Sequence, residues 1–539
     1  GNVNLNFGGF AGQGVLVLVN GERLAGETMD NVDFERLNLS DVERIEIVRG
    51  AASALYGSNA AGGVINIITR QQIHRPYELR WEMRNGRHDE SRQNLFFATG
   101  QGRITQLLTL SRTAADEYRL QNPGDVSRHT KYSLNRVPGG RTFQARERFV
   151  VRPDDHWTLS GNVGYYFRQR DFDPGERNRY RDFAGGVKAD WNGHNGRRGE
   201  VGYRFDQYDK SDYYVATGLD VRDYSNVQHT VRALYSTAPL PLWAEGHTLE
   251  LTGGGDLARD YLLTYQFRGD AHRQFTADGY VQADFHLGAQ WEAVATARYD
   301  YFSVGHHGRP TTKLTARYRN GAWTLRASYG QGFRAPTLKE KYMNFFLNDI
   351  FIIRGHEQLR PEVSHNWHVS ADWSKGGTEV SSSVSYNRVL DRITTAEPTT
   401  ERDGLSGLPF VDYINVPSLT VWNVQLSVNH RRRLGSGTLS GTLQYAFTHE
   451  QAPTVGTLTP YMPARPHSAT ARLAYDRRFS PQYAVGVQLS SRFLSTLSGR
   501  EYNSATGASR TLHYPAYALL RLALTQQMGT AVRLNLTAD

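Results

Sequence analysis

The sequence predicts an all-β transmembrane barrel of about 22 antiparallel strands when complete, with a small α+β plug domain in its lumen. Three observations predict it. From about Tyr77 onward the chain runs in period-2 alternation of apolar and polar residues, without helical interruption. These runs are about 10 to 15 residues long, beyond what is usual in soluble sheets and suited to a tilted, bilayer-spanning strand. Their connections alternate between short Gly/Asn turns and long polar excursions such as 112–140, 337–363 and 391–411. Short turns then share one rim and long loops the other.

Composition agrees with a barrel and removes other classes. The 539 residues include no cysteine, which excludes a disulfide scaffold, a thiolate zinc site and a cysteine nucleophile. With 62 basic and 53 acidic side chains the net charge is +9, too mild to imply a nucleic-acid partner. No stretch has the 18 or more consecutive apolar residues of a helical span. A barrel hides its lipid-facing band in every second residue, so a polar average does not exclude the membrane. The 30 Tyr, 23 Phe and 9 Trp cluster near the ends of runs, as interfacial girdles do.

Residues 1–72 are expected to form the plug domain and residues 73–539 the transmembrane barrel. In the plug, apolar β runs at 15–19, 45–48 and 64–68 are separated by Gly-rich turns. A short helix is expected at 31–39, with Ser40 and Asp41 able to cap a second turn. Gly50, Gly57, Gly62 and Gly63 stand at breaks between runs, where a left-handed backbone or a close approach is expected. In the barrel, 291–301, 442–448 and 482–490 show the alternation most clearly. About 21 runs follow Tyr77, whereas single-chain bacterial barrels have an even number. Gly1 follows no signal segment, and Asp539 follows an alternating run without a turn. Both ends are therefore expected to be cut, the plug at its start and the barrel before its last strand. A barrel this wide needs a plug.

Catalytic and metal motifs are absent from the reading. There is no HExxH, GxSxG, P-loop or dinucleotide fingerprint in the required context. The "GGFAGQG" run precedes a strand, not a phosphate-cradling helix, and Asp154-Asp155 reads as a turn. No enzymatic role, catalytic residue, metal ligand or cofactor is expected.

Residues 15–70, with "VLVLVNGERL" and "NLSDVERIEIVRGAASALYGSNAAGGVINIITR", resemble the plug of TonB-dependent outer-membrane receptors. The barrel follows where that family places it, so the resemblance covers essentially the whole chain. It implies a bacterial outer-membrane location and active uptake of a scarce nutrient. The energy would come from the TonB complex, through a TonB box upstream of Gly1, and outer-membrane lipid would surround the wall. A surface lipoprotein is a further possible partner. The resemblance also implies that Glu43, Arg44, Glu46 and Arg49 form plug–barrel ion pairs, the alternative being a solvated strand.

The segment "YGQGFRAPTLKEKYM" followed by "HEQL" resembles the FRAP…NPDL signature of haem receptors in this superfamily. Phe333-Arg334-Ala335-Pro336 matches the first element, and only Leu359 is kept of the second. The family's ligand histidine between them is missing, since residues 337–355 contain none. His306, His307 and His356, with Arg334, are therefore the candidate loop residues for the ligand. Phe10, Gln13, Met29 and Asn31 are the candidates at the plug apex, where Phe10 and Met29 either meet a flat macrocycle or pack within the plug. Haem or another iron complex is the preferred cargo and cobalamin the alternative, a haem or corrinoid being transported rather than resident. A barrel serving mainly as a partner-docking receptor or adhesin is the competing class.

Overall fold

The computed structural model describes the chain except residues 1–5, 8–9, 12–13, 27–31, 38–41, 51–52, 61, 71–72, 74, 120–135, 268, 270, 348–349, 452–463, 504–507, 530–531 and 539. Near the N-terminus a four-stranded sheet runs in the order Glu22–Arg23, Val15–Val19, Gly63–Thr69, Val42–Arg49. Val15–Val19 and Gly63–Thr69 are parallel and the other pairs antiparallel. Leu16, Leu18, Ala60 and Val64 form its core, with Val48 and Tyr56 packed against them. The helix expected over 31–39 is smaller: a 3-10 turn, Phe34–Arg36, capped by Asp33. Ser40 and Asp41 lie outside the described residues. An α-helical turn not anticipated from the sequence, Ser53–Tyr56, follows the "VRG" segment and packs against the wall strands Trp291–Phe302 and Trp323–Arg334.

The remaining chain is a closed barrel in which consecutive wall strands are antiparallel. Of the 24 strands in its sheet, three are short extensions (Leu240–Pro241, Asn344–Leu347 and Phe351–Arg354), which leaves 21 in the wall among the described residues. The last, Val532–Ala538, lies beside the first, Tyr77–Asn85, and every residue of the last is exposed. Several strands outrun the expected length, Phe410–Leu434 reaching 25 residues. Hydrogen-bonded ladders continue upward into the loop rim, where other backbone is available to satisfy them.

The wall is inside out relative to a soluble sheet. Val187, Val281, Leu314 and Val369 are more than half exposed, whereas Asp206, Asp300 and Ser364 are 1% exposed. Lipid contact accounts for the first set and the filled, polar lumen for the second. Trp157 opposes Trp191, and Trp323 opposes Trp373, at the rim of short turns. Toward the other rim, Tyr386 lies between Trp367 and Trp422 with centroids 5.5 and 4.6 Å away. These are the two aromatic girdles.

Candidate functional site

The plug is fastened to the wall by the turn that Asp33 caps. Arg36 places Nη2 2.9 Å from Asp182 and 3.2 Å from Asp206, all three deep in the interface. Arg168 of the wall donates to Asp33 at 2.9 Å, and the Tyr208 hydroxyl donates to its other oxygen at 2.8 Å. Gln144 donates to the Arg36 carbonyl at 2.8 Å, and Arg170 pairs with Glu35. Burial alone would depress the Arg36 pKa. Asp182 and then Asp206 outweigh that and hold it above its ordinary value. The preceding backbone docks as well: Ala25 and Gly26 N–H groups donate to Asp206 (3.2 Å) and Asn226 (2.6 Å). Gly26 has φ +75°, and a Cβ there would stand 2.4 Å from the Tyr208 ring, so the approach needs glycine.

A second zone lies beneath the helical turn. Arg23 donates to the carbonyl of Ser58 at 2.7 Å, and burial, then the charge of Arg298, lowers its pKa to about 10. Arg298 pairs with Asp278 at 2.6 Å and Asp300 at 3.0 Å and reaches the Leu55 carbonyl at 3.4 Å. Glu22 pairs with Arg232 at 3.3 Å. A polar cavity of about 270 Å³ borders Arg23, Asn59, Asp256, Arg298, Pro336 and Lys339, between plug and wall.

The FRAP segment joins plug to extracellular loop. Phe333 N–H donates to Ser53 Oγ at 3.1 Å, Ala335 N–H to Ser58 Oγ at 3.0 Å, and Asn59 N–H to the Phe333 carbonyl at 3.2 Å. Arg334 is buried and points into the loop, not into open space. Its Nη1 is 2.9 Å from both Glu340 oxygens and its Nη2 is 2.8 Å from Glu362. Glu362 also accepts from the Ile393 N–H at 2.8 Å. Thr337 and Glu340 close a capping box on the helix Leu338–Tyr342. The hairpin Asn344–Leu347/Phe351–Arg354 then pairs in parallel with Phe410, Val411 and Asp412. Residues 337–363 are thus a folded cover over one side of the lumen.

The sequence-based site is redistributed by these contacts. Arg334 holds the loop together and is not open to a ligand. Glu43, Arg44 and Glu46 pair with one another (3.4 and 2.8 Å) on an exposed strand; they do not form the expected plug–barrel bridges among the described residues. Arg49 ends that strand, and its side chain lies outside the described residues, as does that of Phe10. Gln13, Met29 and Asn31 lie wholly outside them.

Two of the three candidate histidines, His307 and His356, lie beside the loop helix. The exposed His306 faces the Tyr301 hydroxyl at 3.1 Å. His307 lies beside Lys341, and burial, then Lys341, lowers its pKa. The His356 N–H bonds to the Glu340 carbonyl at 2.9 Å, and its ring is exposed. Among the described residues no three metal-ligating side chains converge. Sequence reasoning missed Arg36, Asp33, Arg168, Asp182, Asp206 and Tyr208. Each sits in an ordinary polar context, and only the barrel's curvature brings them together.

Comparison with known proteins places this architecture. The family model "TonB dependent receptor-like, beta-barrel" matches residues 79–539, and "TonB-dependent Receptor Plug Domain" matches residues 1–64. The "Vitamin B12 transporter BtuB" of Photobacterium profundum is 25% identical over 67% of this chain and 58% of its own length. The "Iron-regulated outer membrane virulence protein" of Vibrio cholerae El Tor is 24% identical over 72% of this chain and 61% of its own. The chain therefore spans about three fifths of the length of these relatives. Among solved structures, the siderophore receptor PirA from Acinetobacter baumannii has a TM-score of 0.74 at 15% identity, covering 98% of this chain and 86% of that one. The FrpB iron transporter from Neisseria meningitidis has a TM-score of 0.73 at 12% identity, covering 99% and 88%. These two likenesses concern the fold. This chain belongs to the TonB-dependent receptor family of bacterial outer-membrane proteins.

Proposed function

We propose that the protein takes up a scarce metal-containing nutrient across the outer membrane, with haem or another iron complex as its cargo. The observation that carries this reading is the lumen itself. It holds a folded plug bound to the wall by buried ion pairs, and it is covered by a loop that the FRAP segment ties to the same plug. Ligand contact on the cover can therefore reach the plug through three hydrogen bonds, two of them accepted by the Ser53 and Ser58 hydroxyls. Energy for moving the plug comes from the TonB complex. A surface lipoprotein could dock on the exposed loop tips, where Leu405 is fully presented.

Haem is favoured by His307, whose lowered pKa keeps its imidazole neutral and able to meet iron, with His306 its chain neighbour and His356 bonded to the same helix. Cobalamin is the second reading, favoured by the relative named as a vitamin B12 transporter. Titration of the purified receptor with haemin and with cobalamin tests both. A Soret change that weakens in His307→Ala supports haem. A cobalamin response without a haemin response replaces it with the second reading. Uptake that persists in a strain lacking TonB would overturn the transport mechanism.

A further inference from the structure

The short-turn rim carries an arc of arginine and lysine that neither the plug nor the loops use. Arg432 lies near the end of the strand Phe410–Leu434, and Arg477 near the end of His467–Ser480. Both strands descend from the aromatic girdle at the loop rim. Trp422 lies ten residues above Arg432 on the same face, and His467 lies ten residues above Arg477. At ~3.4 Å per residue and a tilt of ~40°, ten residues descend about 25 Å, the height of the apolar band. Both arginines therefore emerge at the headgroup depth of the opposite leaflet.

Their faces point to lipid. Val424 and Leu426 precede Arg432 at even positions and are exposed, as Leu473 is on the face of Arg477. Register places the two diagonally across one glycine: Arg432 opposes Leu439, and Gly437 opposes Arg477. Two strand spacings of ~4.8 Å and a two-residue offset put their Cα atoms roughly 12 Å apart. Gly437 leaves the ground between them low, and the Tyr475 ring lies over it. Phe479 lies 4.5 Å below the Arg477 guanidinium. His430, two residues above Arg432 on the same strand and held by the Thr378 hydroxyl at 2.8 Å, and Lys375, two strands away, continue the arc. Among the described residues neither Arg432 nor Arg477 has a carboxylate partner.

We propose that Arg432 and Arg477 form a headgroup site for an anionic phospholipid of the periplasmic leaflet. Two guanidiniums at one headgroup depth offer forked donors to phosphate oxygens, while the Tyr475 ring, two residues nearer the bilayer centre than Arg477, lies against the upper acyl chain. The flanking Lys375 cation enlarges the field.

The test is native mass spectrometry of the full chain, released from nanodiscs of phosphatidylethanolamine with one fifth phosphatidylglycerol. The wild type is expected to retain phosphatidylglycerol in preference to phosphatidylethanolamine. Each lost arginine should cost about fivefold in occupancy, so Arg432→Gln/Arg477→Gln should lose about 25-fold. Arg432→Lys/Arg477→Lys should retain most of it. Arg388→Gln, at the loop rim of a nearby strand, should change nothing and also serves as the folding control. Equal retention by the double Gln variant overturns the proposal. So does an equal loss in Arg388→Gln, or displacement of the lipid by millimolar inorganic phosphate, which would mark an unspecific anion site.

Discussion

The Arg36 guanidinium of the plug lies 2.9 Å from Asp182 of the wall, both almost out of contact with solvent. Asp206 completes the arrangement at 3.2 Å. Removing the arginine leaves the buried Asp182 without its ion-pair partner and Asp206 with Arg204 alone. Arg36→Ala is expected to destabilise plug docking by about 3–5 kcal/mol. Single-channel conductance in planar bilayers checks it: the variant should show frequent openings, and a trace as quiet as wild type would contradict the anchoring role.

Arg334 is a matching case in the extracellular cover. It binds Glu340 and Glu362 together, so Arg334→Ala should loosen residues 337–363 at a cost of about 3–5 kcal/mol. Proteolysis of the purified receptor should become faster within this loop, while the barrel stays heat-resistant. If Arg334 contacted the ligand instead, affinity would fall with no change in proteolysis.

Gly26→Ala should be disfavoured twice, by the left-handed backbone and by the Tyr208 ring 2.4 Å from the new Cβ. A loss of about 2–3 kcal/mol is expected. Thermal unfolding of Gly26→Ala with and without Tyr208→Ala decides it, because removing the ring should recover part of the loss.

His307 gives a pH dependence. Burial, followed by Lys341 and His306, lowers its pKa below 6.5, so the folded loop favours the neutral ring. That contribution is complete above the unfolded value of about 6.5 and is lost as pH falls through the lowered folded value. Histidine NMR should find its midpoint below 6.5. Hydrogen exchange near residues 305–309 should rise at pH 5 in wild type and respond less in His307→Gln.

Ser58 links plug and cover through Ala335 at 3.0 Å. Ser58→Ala should cost about 1 kcal/mol while weakening the link between cargo binding and plug motion. Binding affinity should stay close to wild type and uptake should fall. Equal loss of both would show that Ser58 acts on the fold alone.

How much of this was legible beforehand varies with the distance over which the information acts. Alternation at Val424–Leu426 and Leu473 is a property of consecutive residues, because neighbouring side chains on a strand point to opposite faces. The wall, its two girdles and the rim of short turns could therefore be read along the chain. The Gly-rich plug segment was equally readable, since turns and short apolar runs are local. The misreadings concern partners. Glu43, Arg44 and Glu46 looked like plug–wall cations and anions, yet Arg44 pairs with its own neighbours Glu43 and Glu46 on an exposed strand.

Arg334 shows the same division. Its motif marked an important position, but its role depends on Glu340 six residues on and Glu362 at the far end of the loop. The sequence by itself determined a membrane barrel with a plug, because lipid and lumen each select alternate residues along every strand. Tertiary structure alone decided which charges fasten the plug, since Arg36 and Asp182 stand 146 residues apart and meet only when the barrel closes around the turn that carries Arg36.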